Sequence, residues 1–183
     1  MTENTRRVVV TGLGIVSPVG STVDKAWTNI KNGVSGIRKI STFDASSFSV
    51  QISGSVIDFN ADDYITPKNQ KKMDTFIHYG IGASVMAIND SGLEISEENS
   101  DRVGISIGSG IGGLPYIERN YGNFLDSGPR KISPFFVPSS IINMVSGNLS
   151  IMYGITGPNL SLVSACATGT HSIGDAARLI KHG

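Results

Sequence analysis

One cysteine, Cys166, stands in the 183 residues, so no disulfide can form within the chain, which fits a reducing compartment. Charge of one sign is lacking as well. Fifteen basic residues offset fifteen acidic ones, so no overall field recruits nucleic acid or a membrane surface, and any electrostatic partner must be sought in local clusters. No run approaches the ~18 apolar residues of a membrane-spanning helix. Arg6 and Arg7 ahead of Val8, Val9 and Val10 resemble the start of a secretion signal, but Thr11, Gly12, Gly14, Ser17 and Pro18 interrupt the apolar region too early. Internal repeats and linkers are also missing. These absences predict a single soluble cytoplasmic unit that binds neither nucleic acid nor membrane, and no metal or cofactor is expected.

What is present is an ordinary globular balance, 39% hydrophobic and 16% charged, with 22 glycines clustered beside apolar runs. Such glycines mark tight turns and close backbone approach. Val8–Val10 reads as a buried first strand. Thr22 caps a helix that turns Ala26, Trp27 and Ile30 inward and stops at Asn32 and Gly33. Val50 to Val56 alternates as a strand would, with indistinct edges. Thr66 and Pro67 open a helical region whose longer part covers about Met73 to Asn89, with Ile77, Ile81, Val85 and Ile88 on one stripe and Asp90, Ser91 and Gly92 closing it. Lys68, Lys71 and Lys72 cluster at its start.

Val103–Ile107 reads as a strand, followed by Gly108, Gly110 and Gly113 in the spacing GxGxxG. A dinucleotide fingerprint needs a following helix and a second strand ending in an acidic residue. Pro115 and the polar setting of Asp126 speak against that, so these glycines are taken to let a loop pass close to another backbone or a ligand. Pro129, Arg130 and Lys131 form a basic loop before the pair Phe135 and Phe136. Ser139 or Ser140 then caps a helix through Tyr153 that ends at Gly154, apolar enough around its circumference to be buried within the protein or against another subunit.

Leu160–Val163 is rich in strand formers, Ser164 and Ala165 are small, and a helical period begins after Cys166. A cysteine on a strand–turn–helix junction faces unpaired N–H groups and the positive end of the helix dipole, which stabilise negative charge on sulfur. Small residues on both sides suit a turn that presents the thiol, whereas an inert buried cysteine needs no such clearing. His171 lies about 140° around the helix from Cys166 and points elsewhere. His78 and His182 read as structural or solvated, so a cysteine hydrolase lacks an identifiable base.

Five blocks, RRVVVTGLGIVSPVG, GSGIGG, GPRKISPFFVPSSIINM, IMYGITGPN and SLVSACATGTHSIGDAARLI, together resemble the β-ketoacyl-acyl carrier protein synthases, most of all those that elongate chains in bacterial fatty acid synthesis. The resemblance covers residues 1–183 and about the first half of the family's usual length. It implies the α/β thiolase-like fold, layered mixed sheets and helices, and a homodimer. It also implies acyl transfer to Cys166 followed by decarboxylative Claisen condensation with malonyl carrier protein, the backbone N–H of Cys166 supplying half of an oxyanion hole. Ile111 and Phe136 match positions lining the acyl tunnel, the latter reaching across the dimer. Lys68, Lys71, Lys72, Arg130 and Lys131 become candidates for docking the acidic acyl carrier protein.

The family's two catalytic histidines, supporting lysine and second oxyanion donor are not assignable to these residues, so the chain by itself is not expected to complete condensation. Apolar strands such as Val8–Val10 and Leu162–Val163 imply surface that a missing half covers, and an isolated chain is expected to be unstable or to associate. Three rival readings stay open: a thiolase-like enzyme acting on coenzyme A thioesters, a non-catalytic partner subunit, and a cysteine hydrolase.

Overall fold

The computed structural model describes residues 6–183. In chain order, helix α1 (Val23–Lys31) is capped by Thr22, whose hydroxyl accepts from Lys25 N at 3.3 Å. Strands β1 (Arg38–Lys39) and β2 (Ile52–Ser53) pair antiparallel, with Arg38 opposite Ser53. A 3-10 turn, Ala61–Asp63, precedes α2 (Pro67–Gln70) and the long α3 (Thr75–Ser91). Then come β3 (Ile105–Ser106), α4 (Leu114–Ser127), the 3-10 turn Pro129–Lys131, and α5 (Phe136–Ser140). Helix α6 (Met144–Tyr153), β4 (Asn159–Leu160), the 3-10 turn Ala165–Ala167 and α7 (Thr168–His182) complete the order.

The interior is built on α3 against α6. Ile77 and Ile81, four residues apart and so on one face, are both 0% exposed, and Val145 and Leu149 answer them from α6 at the same spacing. Ile65, Ile105 and Ile155 close the cluster. Each such side chain stabilises the fold by roughly 1.5–3 kcal/mol through burial. Asp74 caps α3, its carboxylate accepting from Phe76 N at 3.3 Å, and Gly92 ends the helix at φ 64°. Strands β3 and β4 run parallel, Ile105 N donating to Pro158 O at 2.7 Å and Ile107 N to Leu160 O at 3.2 Å. Helix α7 is tied to β3 where Ser106 Oγ donates to Ser172 O at 3.0 Å.

Several sequence expectations are corrected. Val8–Val10 joins no ladder among the described residues and is exposed, Val10 at 78%. Its far end is anchored, with Gly12 and Gly14 against the α3 backbone at Ala87 and Ala83, and Leu13 N donating to Asp90 Oδ2 at 2.8 Å. Leu162 and Val163 likewise lie beyond the end of β4, unpaired. Trp27 and Ile30 face outward, because the stripe that meets the body is Val23, Ala26 and Asn29. Lys25 pairs with Asp58 at 2.7 Å, and Asn29 Nδ2 donates to Val19 O at 2.6 Å.

The predicted helix through Tyr153 is two helices, broken where Ile141 is extended at ψ 143°. Ser139 and Ser140 cap neither: Ser139 Oγ donates to Lys72 O at 2.7 Å and Ser140 Oγ to Phe136 O at 2.6 Å. Ile151 and Met152 remain exposed, so only one side of α6 is covered. A helix does follow the glycine loop, since Pro115 sits in the first turn of α4, where its missing N–H costs nothing, and Asp126 falls in its last turn. No helix among the described residues is long and apolar enough to cross a membrane. The accessible surface, 12212 Å², exceeds the roughly 8,500 Å² of a compact monomer of this mass.

Candidate functional site

From β4 the backbone enters the turn that carries Cys166. Ser161 Oγ donates to Ile107 O at 2.6 Å and fixes the approach beside β3. Ala165 has φ 52°, the only side-chain-bearing residue among those described with positive φ. That conformation costs about 1–3 kcal/mol and persists only where surroundings impose it. The imposing group is Thr168, 4% exposed, whose hydroxyl donates to Ala165 O at 2.7 Å and accepts from Ser164 N at 2.9 Å. One side chain thus grips the backbone on both sides of the Ser164–Ala165 bond.

Cys166 follows, exposed, two residues before the start of α7. Its backbone N–H has no partner among the described residues, while Ala167 N is engaged by Ser164 O at 3.1 Å. An exposed thiol and a free N–H on the same residue, at the positive end of a helix of 15 residues, can receive a carbonyl carbon and stabilise the negative oxygen that forms on attack. The strand–turn–cysteine–helix order expected from the sequence is present.

The glycine loop supplies the neighbouring wall. A side chain at Gly108 would collide with Leu162 O and Thr168, and one at Gly110 would stand 3.3 Å from Ala165 O. Gly112 adopts φ 86°, and side chains at Gly112 and Gly113 would run into the backbone at Ser140 and Ser139. The loop is therefore wedged between the cysteine turn and α5, and these close approaches are the reason for its glycines. Ile111 projects from it, 74% exposed, and Phe136 begins α5 half-buried. Cys166, the Ile111 loop and the Phe136 helix are consecutive neighbours.

Of the cationic candidates, Lys68 lies on α2, with Lys71 just past its end, both exposed. Lys72 is half-buried with Nζ 5.3 Å from the Phe135 ring. Arg130 and Lys131 lie exposed on the turn Pro129–Lys131. His171 is not brought to Cys166; its Nδ1 lies 2.6 Å from Ser164 Oγ. It lines an open cleft of about 530 Å³ with Val163, Asp175 and Arg178, and Cys166 is not among the lining residues. His78 is held half-buried, Nε2 3.2 Å from Gln70 O, and burial pushes its pKa down. Thr168 escaped the sequence reading because it counted only as one more small residue near the cysteine. Its signal was a hydroxyl spaced to reach back over a turn, as Ser and Thr do near helix starts.

Comparison with known proteins gives a consistent result. Residues 5–183 match the family model described as "Beta-ketoacyl synthase, N-terminal domain". Proteins named 3-oxoacyl-[acyl-carrier-protein] synthase 2 are similar: that of Vibrio harveyi is 56% identical over 97% of this chain and 43% of its own length. That of Staphylococcus aureus (strain COL) is 45% identical over 100% of this chain and 44% of its own. The chain spans less than half the length of these curated relatives. Among solved structures, the ishigamide ketosynthase/chain length factor superposes with a TM-score of 0.85 at 26% identity, over 98% of this chain and 45% of that one. A type II polyketide ketosynthase in complex with its acyl-carrier protein superposes at 0.80 with 28% identity, over 97% of this chain and 47% of that one. These neighbours have the thiolase-like fold, and so does this chain.

Proposed function

The chain belongs to the β-ketoacyl synthase family, and on that premise we propose that residues 1–183 form the nucleophile-bearing half of an elongating β-ketoacyl-acyl carrier protein synthase. The observation that carries this reading is the exposed thiol of Cys166 beside its own unpartnered N–H, on a positive-φ turn held by Thr168.

In the first step the sulfur of Cys166 attacks the thioester carbonyl of an acyl group on acyl carrier protein. The new carbon–sulfur bond forms, the carrier's thiolate leaves and takes up a proton, and the Cys166 N–H stabilises the oxygen of the tetrahedral intermediate. In the second step malonyl carrier protein loses carbon dioxide, leaving an enolate. Its carbon attacks the Cys166 thioester and expels the sulfur, so that the product on the carrier is two carbons longer. Ile111 and Phe136 line the channel for the acyl chain, and Phe136 reaches the tunnel of a second subunit. Lys68, Lys71, Lys72, Arg130 and Lys131 receive the acidic carrier protein, an assembly supported by the ketosynthase solved with its own carrier. The enzyme works as a cytoplasmic homodimer.

The test is turnover by the full-length protein with acyl groups offered on acyl carrier protein and, separately, on coenzyme A. Extension by two carbons with loss of carbon dioxide, faster from the carrier, is expected, and the isolated chain of residues 1–183 should form no condensation product. Preference for coenzyme A would favour the thiolase-like reading, and thioester cleavage without extension would favour a hydrolase.

A further inference from the structure

We propose that Tyr116 is a positioning residue for the carrier-docking face, and that Arg119, lying on its ring, is a further cation of that face. The inference rests on the carrier-docking reading above. Tyr116 lies in the first turn of α4 and is 6% exposed. Its backbone N–H donates to Asp74 Oδ2 at 2.7 Å, and Asp74 stands two residues past Lys72. Its hydroxyl donates to Ser133 Oγ at 2.9 Å, and Ser133 stands two residues past Lys131. One residue therefore bridges the two basic segments, which are far apart in sequence.

The bridge is doubled from the next turn of α4. Asn120, 4% exposed, donates from Nδ2 to Tyr116 O at 2.8 Å and accepts at Oδ1 from Ser133 N at 2.8 Å. Tyr116 and Asn120 are buried, so breaking the bonds from Tyr116 N to Asp74 or from Asn120 Nδ2 to Tyr116 O leaves a buried donor or acceptor unsatisfied. The basic side chains themselves are mostly exposed. What the buried bonds fix is the separation of the backbones that carry them.

Arg119 places its guanidinium carbon 5.5 Å from the centre of the Tyr116 ring. This is cation–π distance, and it holds an otherwise exposed arginine over the strut that joins the two lysine and arginine groups. Glu118 is its only acidic sequence neighbour. Arg119 thus stacks on the side chain that ties the two basic segments together, and an acidic partner engaging both segments would meet its charge. Because charges at a rim act through association rate and are screened by salt, the effect should be confined to carrier-bound substrate at low ionic strength.

The experiment compares full-length wild type, R119E, Y116F and the reference variant K68E/R130E. Each is assayed with one acyl group presented on acyl carrier protein and on pantetheine, at about 0.05 and 0.5 M salt. R119E is expected to raise the apparent KM for the carrier-bound substrate about fivefold at low salt, and Y116F about threefold. Their kcat and their KM for acyl-pantetheine should be unchanged, and the differences should vanish at high salt. An unchanged KM, or a defect that is equal for both substrates or survives high salt, overturns the inference. If K68E/R130E also leaves KM unchanged, the docking reading itself fails; if it raises KM while R119E and Y116F do not, only this inference fails.

Discussion

The side chains of the α3–α6 interior and the outer residues Val9, Val10, Trp27 and Val163 are all apolar, yet they end in opposite surroundings. Ile77, Ile81, Val145 and Leu149 are at most 2% exposed, whereas Val9, Val10, Trp27 and Val163 are all more than half exposed. Apolarity alone did not decide which was buried. The interior pairs have a partner helix at matching spacing, whereas the outer residues are left mostly open to solvent. The cysteine turn sits on the boundary: Thr168, Gly108 and Ser161 bind it to the finished side, and Cys166 faces out of it. A side chain on such a boundary is held from behind and open in front.

The sharpest way to break this contrast is to cut into both sides. Leu149→Ala should cost about 3 kcal/mol, a large part of a domain's typical stability, because the cavity cannot collapse between packed helices. Val10→Ala should change the unfolding free energy of the isolated chain by less than about 0.5 kcal/mol. Chemical denaturation of both variants decides it, and equal losses would show that the N-terminal segment is packed after all. The isolated chain should also associate through its uncovered apolar surface, which light scattering would report.

A smaller effect is expected at the boundary. Thr168→Val keeps the shape but removes both hydrogen bonds, leaving Ser164 N unsatisfied, at about 1–3 kcal/mol. Acyl loading of Cys166 in the full-length protein should slow about tenfold, and Thr168→Ser should restore most of it. Rapid-quench measurement of loading separates this from simple destabilisation, since loading at full rate by folded Thr168→Val protein would remove Thr168 from the account.

The smallest effect concerns His78, on the interior side. Burial lowers its folded pKa, so the folded state favours neutral imidazole while the unfolded chain binds a proton first as pH falls through about 6.5. The stability is thus fully present above that value and declines below it. Thermal melts from pH 7.5 to 5 should fall more steeply for wild type than for His78→Gln. Parallel curves would show that His78 stays solvated.

Much of the interior was legible in the sequence, because Ile77 and Ile81 repeat at helical spacing and Thr22, Gly92 and Gly154 are strong boundary residues. The setting of Cys166 was legible for a similar local reason. What could not be read was decided by distant contacts. Asp58 and Val19 fix the rotation of α1 and so turn Trp27 outward, and Lys72 O draws Ser139 away from capping. Helix α4 was missed for a different reason. Its Pro115 obeys the first-turn rule that identified Pro67, but next to four glycines it read as a helix breaker.

The central claim is that Cys166 carries the acyl group. The direct measurement is mass spectrometry of peptides from full-length protein incubated with acyl-acyl carrier protein alone, without malonyl carrier protein. The account predicts one acyl thioester, on the peptide containing Cys166, cleared when malonyl carrier protein is added and absent in Cys166→Ala. Acyl transfer to another residue, or condensation that continues in Cys166→Ala, would contradict it.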